Sequence, residues 1–486
     1  MNLDQKLSFI NKLNGLKIGG IGISNYFVYR GYSLWSFVQQ RIWMDMDRLG
    51  NLKYDPLIKD SLSSGLRVSL LRFLAIILSL FSIFILKIKK PRVLIFSTDS
   101  VSDSSSKSDR RMSLVYRALE DMGVGFGEVV HISLNSKFGK NFFFRRRPVI
   151  YLEAINYCYP LLKYFIKEIS FLPINLRDLD LSGFSETERE IAEVLIKDHS
   201  ASLDILPFRI KVLSLLFQLI GPEFIFSIDD SRYYHEILLA GEITKIPTHA
   251  FQHGRFNKYI IGPRYLSIDP DLCILPDFFY VWNEYWRNKL ISLSEPFSNA
   301  KDRILIGGSP SLSTSIYSGP GIDDGVITIL VPYEVGIDKG ILADYLVSFL
   351  ECNNVHIIIK LRSDIDENIQ LERTGLFRFK NNPRVIFTTD LSDINGIDLV
   401  VGSYSTFLYE MVAIGKPVGV LEMDTTQAWD LIEDGLAEEI SQNNLNNDLI
   451  KKIASTPSDI LKIRSGAMNS SHKIRDTIEN IIKSAN

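Results

Sequence analysis

Residues 223–254 read EFIFSIDDSRYYHEILLAGEITKIPTHAFQHG, and their pattern sets the fold class. Phe224-Ile225-Phe226-Ser227-Ile228 is a short apolar run of the kind buried on both faces of a parallel sheet. Asp229 and Asp230 follow directly. Tyr233 to Thr244 carries Ile237, Leu238 and Ala240 at helical spacing. His249-Ala250-Phe251 is a second strand, closed by Gln252-His253-Gly254. In an open α/β sheet, ligands bind outside the carboxyl ends of the strands. Both polar groups sit at such ends, so Asp229, Asp230 and His253 are candidate catalytic residues facing one crevice. The alternative is structural: Asp229 caps the helix and His253 packs in a turn.

The same strand–helix alternation runs outward in both directions. Upstream, Val93-Leu94-Ile95-Phe96 is a first strand, Ser97 to Asp109 a Ser/Asp-rich loop, and Arg110 to Met122 a helix. The loop lacks GxGxxG, so it is no dinucleotide fingerprint. Tyr151 to Ile220 reads as largely helical. Downstream come a strand over 277–282, a helix over 283–293 and a strand over 303–306 that ends in Gly307-Gly308-Ser309-Pro310. Ser311 to Gly325, without periodicity, is an interdomain linker. A second α/β unit then starts afresh, with strands at 326–331, 355–360, 385–387, 399–401 and 418–421 and a last helix over about 470–482. Strands alternating with helices imply parallel sheets. The expected layout is an N-terminal helical extension (1–90), a first Rossmann-like domain (91–312), a second (326–465) and a C-terminal helix (466–486).

The second unit carries its own constellation. Ser403, Ser405 and Thr406 form a hydroxyl-rich turn opening a helix, whose N–H groups and dipole suit an anion. Glu410 lies about one turn into that helix, and Glu422 ends the next strand. Acids placed near a phosphate site accept ribose hydroxyls in dinucleotide folds. Lys360 and Arg362 place two cations at a strand end, where they suit phosphates. The plain alternatives are ordinary N-capping by Ser403 or Ser405, and an exposed strand edge.

Composition excludes several classes. The 486 residues are 46% hydrophobic with a net charge of −3, so no strong field points to nucleic acid. Three scattered cysteines, Cys158, Cys273 and Cys352, argue against a disulfide framework or a thiolate zinc site. Seven histidines show neither HxH nor HExxH spacing, so no metal motif is read. Met1 to Asn14 is polar and no secretory signal; the compartment is expected to be reducing.

Two stretches suggest a surface partner. Phe73 to Leu86 is apolar apart from Ser79 and Ser82; its 14 residues span about 21 Å as a helix, short of the roughly 20 residues of a membrane span. A buried core helix, a membrane-dipping segment and a true span are the three readings, the span the weakest. The flanking Arg67, Arg72, Lys87, Lys89, Lys90 and Arg92 suit anionic headgroups. Residues 137–147, KFGKNFFFRRR, interleave aromatics with cations, and Lys140, Arg145, Arg146 and Arg147 are expected to meet an acceptor or a membrane. Peripheral attachment to the cytoplasmic face of the inner membrane is the expectation. The aromatic-rich stretch 25–35 reads as part of a small helical cap on the main body rather than as a membrane surface.

Taken in order, these motifs resemble a family. The strand-end acids with Ile246-Pro247-Thr248 and Gln252-His253-Gly254, then Ile306-Gly307-Gly308-Ser309-Pro310, then Ser403-Tyr404-Ser405-Thr406 with Glu410 and Gly415-Lys416-Pro417, are similar to GT-B glycosyltransferases. More narrowly they resemble bacterial surface-polysaccharide transferases: the β-Kdo transferases of capsule and O-antigen assembly and the CDP-glycerol glycerophosphotransferases. The resemblance covers roughly residues 92–435. It implies two Rossmann-like domains about a cleft, with a donor nucleotide held by Ser403, Ser405, Thr406, Glu410, Lys360, Arg362, Gly308 and Ser309. Leu361-Arg362 stands where CMP-sugar enzymes of this kind carry His-Pro, which leaves CMP, UDP or another nucleotide open.

The implied reaction is metal-independent transfer of a sugar from a nucleotide-activated donor to a glycan or lipid-linked acceptor. The nucleotide sugar is a substrate, and no resident cofactor is expected. Asp229 or Asp230 is the candidate general base or nucleophile; His253 donates to the donor phosphate or serves as the base. A polyol-phosphate transferase, a nucleotide-sugar epimerase, or a non-catalytic scaffold of a polysaccharide assembly complex are the alternatives on the same fold.

Overall fold

In the computed structural model the described residues are 3–50, 65–98, 109–131, 147–166, 171, 174, 178–228, 234–261, 265–266, 268–310, 325–334, 340–362, 365–389, 396–424, 426–466 and 471–484. Two parallel sheets form the body, each with helices packed against it. The first contains β1 (Val93–Thr98), β2 (Phe126–His131), β3 (Val149–Tyr151), β4 (Phe224–Ile228), β5 (Thr248–Phe251), β6 (Phe278–Val281) and β7 (Ile304–Ile306). Its spatial order is 3-2-1-4-5-6-7, every pair parallel. The second contains β8 (Ile327–Pro332), β9 (Val355–Lys360), β10 (Val385–Thr388), β11 (Leu399–Gly402), β12 (Val418–Leu421) and β13 (Glu438–Ile440). Its order is 10-9-8-11-12-13, again all parallel. Both sheets therefore follow the doubly wound Rossmann order, whose ligand crevice opens where the strand order reverses. That point lies at the carboxyl ends of β1 and β4 in the first domain and of β8 and β11 in the second. The chain has the two-Rossmann-domain architecture expected of GT-B.

The expected strand 224–228 is buried on both faces, and so is 355–360 apart from exposed His356 and half-buried Lys360. Three strands of these two sheets were not expected, and neither were two short antiparallel pairs, Lys17–Ile18 with Ile21–Gly22 and Val28–Tyr29 with Tyr32–Ser33, in the extension expected to be helical. β2 contains Gly127 and Glu128, so it does not read as an apolar run. Yet Glu128 is buried and accepts a hydrogen bond from the Tyr116 hydroxyl at 2.6 Å. β3 is only three residues long, and β13 is a polar edge strand, Glu438-Glu439-Ile440. Among the described residues, the stretch expected to be largely helical, Tyr151 to Ile220, begins in β3 and holds two helices. These are α5 (Leu152–Leu162) and the 35-residue α6 (Glu186–Ile220). α6 starts at a capping box in which Ser185 and Glu188 satisfy each other's backbone N–H groups, and it stops at Gly221 in the left-handed region.

The N-terminal helices α1 (Leu3–Asn14) and α2 (Trp35–Gly50) share the first domain's core. Trp35 donates to Asn14 at 2.7 Å, and Asn14 in turn donates to the carbonyl of Leu266 at 2.6 Å. α3 (Gly65–Lys89) covers the open edge of the first sheet. β3 is the last strand on that side, and its backbone N–H groups at Val149 and Tyr151 donate to the hydroxyls of Ser82 (3.1 Å) and Ser79 (2.9 Å). Two serines in an otherwise apolar helix thus satisfy an edge that would otherwise stay unpaired. Leu86 lies so close to β2 that a Cβ on Gly127 would come within 2.5 Å of it.

At the other terminus, α9 (Ser471–Lys483) crosses back onto the first domain beside α4 (Ser113–Asp121). Thr477 donates to the Gly307 carbonyl at 3.3 Å and Arg92 to that of Ile482 at 3.1 Å. One hydrophobic core accordingly runs from Phe9 to Ile482 through both sheets, and a second fills the outer face of the second domain. Between α6 and α9 in the chain lie α7 (Glu284–Leu293), which follows β6, and α8 (Thr406–Ala413), which follows β11.

Candidate functional site

The second sheet builds its half of the site at the strand-order reversal. β11 ends in Gly402, and Ser403-Tyr404-Ser405 turns into α8, with Ser405 capping it by accepting from the Phe407 N–H at 3.2 Å. The N–H groups of this turn are already engaged. Glu334, which follows β8, lies across them with its carboxylate 2% exposed in a fully buried setting beside Ser403. One oxygen accepts from the Ser403 N–H at 2.8 Å and the Ser403 hydroxyl at 2.6 Å. The other accepts from the N–H groups of Tyr404, at 2.8 Å, and Ser405. A Cβ at Gly402 would approach that carboxylate to 3.0 Å, so glycine at this position permits the fit. The donors that sequence reasoning reserves for a phosphate therefore hold an internal anion. Its charge answers the positive end of α8.

Of the other expected donor residues, Thr406 and Glu410 belong to α8 itself and Lys360 lies beside its first turn. The Lys360 ammonium sits 5.5 Å from the centre of the Phe407 ring, beside the first turn of α8. Arg362 is exposed, and its backbone is anchored on both sides by Gln370: its N–H donates to the amide oxygen at 2.8 Å, and its carbonyl accepts from the amide nitrogen at 2.8 Å. Glu410 is half-buried on α8, and Thr406 is half-buried at its start. Gly308 and Ser309 follow β7. Gly308 takes a φ of 82°, Ser309 is buried, and the Pro310 carbonyl beyond them accepts from Leu114 at 2.9 Å. That contact sets them against α4 of the first domain.

The first sheet supplies the opposite wall. Ile228 and Phe251 are register partners, so the chain leaves β4 and β5 side by side. Asp229 and Asp230 come next after β4 but lie outside the described residues. After β5, buried Gln252 fixes the His253–Gly254 turn. Its amide donates to the Gly254 carbonyl at 2.7 Å and accepts from the Trp282 N–H at 3.0 Å, while its own carbonyl accepts from the Trp282 indole at 2.9 Å. His253 is half-buried there. Gly254 abuts the second domain: a Cβ on it would lie 3.5 Å from the Thr406 hydroxyl oxygen. The His-Gly turn of one sheet thus meets the opening turn of α8 on the other.

Arg255, next in the chain, ties the two walls together, and sequence reasoning missed it. It is 93% buried, donates to the Gln427 side chain at 2.6 Å, and stacks within 5.7 Å of the Tyr404 ring and 5.9 Å of the Tyr409 ring. Its second terminal nitrogen has no hydrogen-bond partner among the described residues. Asn257 adds a bond to the Gln427 carbonyl at 2.9 Å. Behind them, α7 braces the domains. Lys289 contacts Asp434 at 2.6 Å and Asp430 at 3.3 Å, and Tyr285 donates to Asp434 at 2.7 Å. Burial alone lowers the Lys289 pKa, but the two carboxylates outweigh it and hold the ammonium charged. Burial pushes the Tyr409 hydroxyl well up, and Asp430 beside it adds to this.

Lys140, Arg145 and Arg146 lie outside the described residues. Arg147 is described, and it is turned into the fold rather than toward an acceptor or a membrane. Its guanidinium pairs with Glu120 and packs 4.7 Å from the Phe126 ring and 5.1 Å from the Tyr116 ring. Its fork and flat face match a carboxylate and two aromatic rings that the folded sheet brings together.

A comparison with protein-family models found no match, nor did one with curated proteins. Among solved structures, the chain is similar to the S. aureus MnaA–UDP complex, at 13% identity over 81% of this chain and 96% of that one, TM-score 0.45. It is also similar to UDP-GlcNAc 2-epimerase from Neisseria meningitidis bound to UDP-GlcNAc, at 14% identity over 80% and 99%, TM-score 0.45. A third is CalG4, the calicheamicin glycosyltransferase, at 10% identity over 80% and 98%, TM-score 0.47.

Proposed function

We propose that the cleft binds a nucleotide-activated sugar and transfers the sugar to a hydroxyl of a glycan or lipid-linked acceptor of the cell envelope. One observation carries the reading: the His253–Gly254 turn of the first sheet abuts Thr406 at the start of α8 on the second. The carboxyl ends of two Rossmann-order sheets thereby share one crevice. A leaving diphosphate or monophosphate needs cationic and hydroxyl partners in such a site. With Glu334 on the turn's N–H groups, those partners are Lys360, the second terminal nitrogen of Arg255, and the hydroxyl of Thr406. Glu334 keeps the turn in shape while the phosphate sits to its cleft side. In this reading Glu410 accepts from the ribose hydroxyls. Asp229 or Asp230 acts on the acceptor hydroxyl as base, with His253 beside the leaving phosphate.

The test is a thermal-shift panel of UDP, CMP, CDP and GDP, followed by turnover of the matching nucleotide sugar. A ligand that binds the native state alone adds about 2.7 kcal/mol at a hundred times its dissociation constant. At least one nucleotide should raise the melting point in the wild type, and less in Lys360→Ala. Stabilisation by none of them would remove the donor site. Turnover of the nucleotide sugar without any acceptor would replace transfer by epimerisation.

A further inference from the structure

α3 presents two unlike faces. Ala75, Ser79, Ser82 and Leu86 are buried against the first sheet, where the two serines bond to its edge strand. Opposite them stand Phe73 (59% exposed), Ile77, Leu80, Phe81, Phe84 and Ile88 (65%). At 100° per helical residue these six fall within an arc of about 100°. An exposed apolar stripe of this kind marks an interaction surface. Between Phe73 and Lys89 the helix has no acid, and Lys87, Lys89 and Lys90, all exposed, cluster at its end. No helix among the described residues is long and apolar enough to cross a membrane.

We infer that this outward face of α3 docks the protein on an anionic phospholipid bilayer, the helix lying in the headgroup plane. The chemistry is paired: phenylalanine and leucine enter the acyl boundary while lysines meet lipid phosphates. Because Ser79, Ser82 and Leu86 fix the helix to the sheet, its apolar face is held outward and needs no ordering on binding. The inference rests on α3 alone, not on the reading of the cleft. α5, which packs on α3, leads into Lys163, Tyr164 and Phe165, three further exposed residues of the same kind.

Co-sedimentation of the full chain with phosphatidylcholine vesicles, with and without phosphatidylglycerol, tests it. The wild type should pellet with the phosphatidylglycerol vesicles, more weakly at high salt but not abolished, since aromatic insertion is unscreened. Phe81→Glu with Phe84→Glu should lower the partition coefficient roughly a hundredfold or more. Lys87→Glu with Lys89→Glu should lower it by about 25-fold or more, at roughly fivefold per lysine. Both variants alter exposed side chains, and unchanged circular dichroism and melting point show that they fold. Wild-type protein left in the supernatant with anionic vesicles would overturn the inference. So would a dimer in solution that the Phe81/Phe84 variant dissociates, because a second copy would then cover the face. Equal binding by the wild type and the Phe81/Phe84 variant would also refute it.

Discussion

Glu334 offers the sharpest perturbation. Replacing it with alanine removes the acceptor of four donors: the N–H groups of Ser403, Tyr404 and Ser405 and the Ser403 hydroxyl. Tyr404 and Ser405 are half-buried and regain water in part, but Ser403 is fully buried. An unsatisfied buried donor costs about 1–3 kcal/mol, and the two on Ser403 share one environment, so a loss of roughly 3–4 kcal/mol is expected. For a unit of 150–250 residues each kcal/mol shifts the melting point by about 2–4 °C, which gives a fall of roughly 6–16 °C. Differential scanning calorimetry reads it. The vacated turn is then an open anion cradle, so inorganic phosphate should restore part of the loss in Glu334→Ala and do little for the wild type. A melting point unchanged by the substitution would refute the reasoning. Equal phosphate effects on both proteins would show that the cradle is not the anion's seat.

Other outcomes follow from the same packing. His249 is buried among Phe224, Phe226, Phe278 and Tyr280, and burial pulls its pKa down to about 3. It stays neutral in the folded chain while the unfolded chain binds a proton below about pH 6.5, so its contribution is intact above that value and is lost as the pH falls toward about 3. Roughly 3 kcal/mol should go between pH 6.5 and pH 4; urea midpoints of His249→Phe should fall less steeply there, and parallel curves would contradict the assignment. Arg255→Met should weaken nucleotide binding about ten- to a hundredfold, the worth of one charged hydrogen bond, measured by calorimetric titration; unchanged affinity would take Arg255 out of the site. Ser79→Ala with Ser82→Ala leaves two N–H groups of β3 unpaired and should cost about 2–4 kcal/mol in denaturant unfolding; no change would mean that water replaces the hydroxyls.

Much of the fold is legible because parallel strands buried on both faces are written as apolar runs, as in Phe224–Ile228. Where a strand departs from that rule, the reason is tertiary. Glu128 is accommodated in β2 by Tyr116 from a neighbouring helix and by Arg147, 3.9 Å away, and Gly127 leaves room for Leu86 from α3. The two serines of Phe73–Leu86 read as blemishes in an apolar segment until β3 is placed beside them. The same holds for the site. The hydroxyl turn at 403–406 and the His-Gly turn are visible as strand-end motifs. Glu334 gives the same kind of signal, an acid just past a strand, but its pairing with Ser403 depends on β8 and β11 being neighbours. Arg255 and Gln427 are 172 residues apart, and their contact exists only once the domains have closed on each other.

The most direct test of the shared crevice is photolabelling with a light-activated analogue of whichever nucleotide stabilises the protein, followed by mass spectrometry of the labelled peptides. Saturable cross-links are predicted in two segments from different domains, the one containing His253, Gly254 and Arg255 and the one running from Ser403 to Glu410. Labels confined to one domain, or falling only outside both segments, would contradict it.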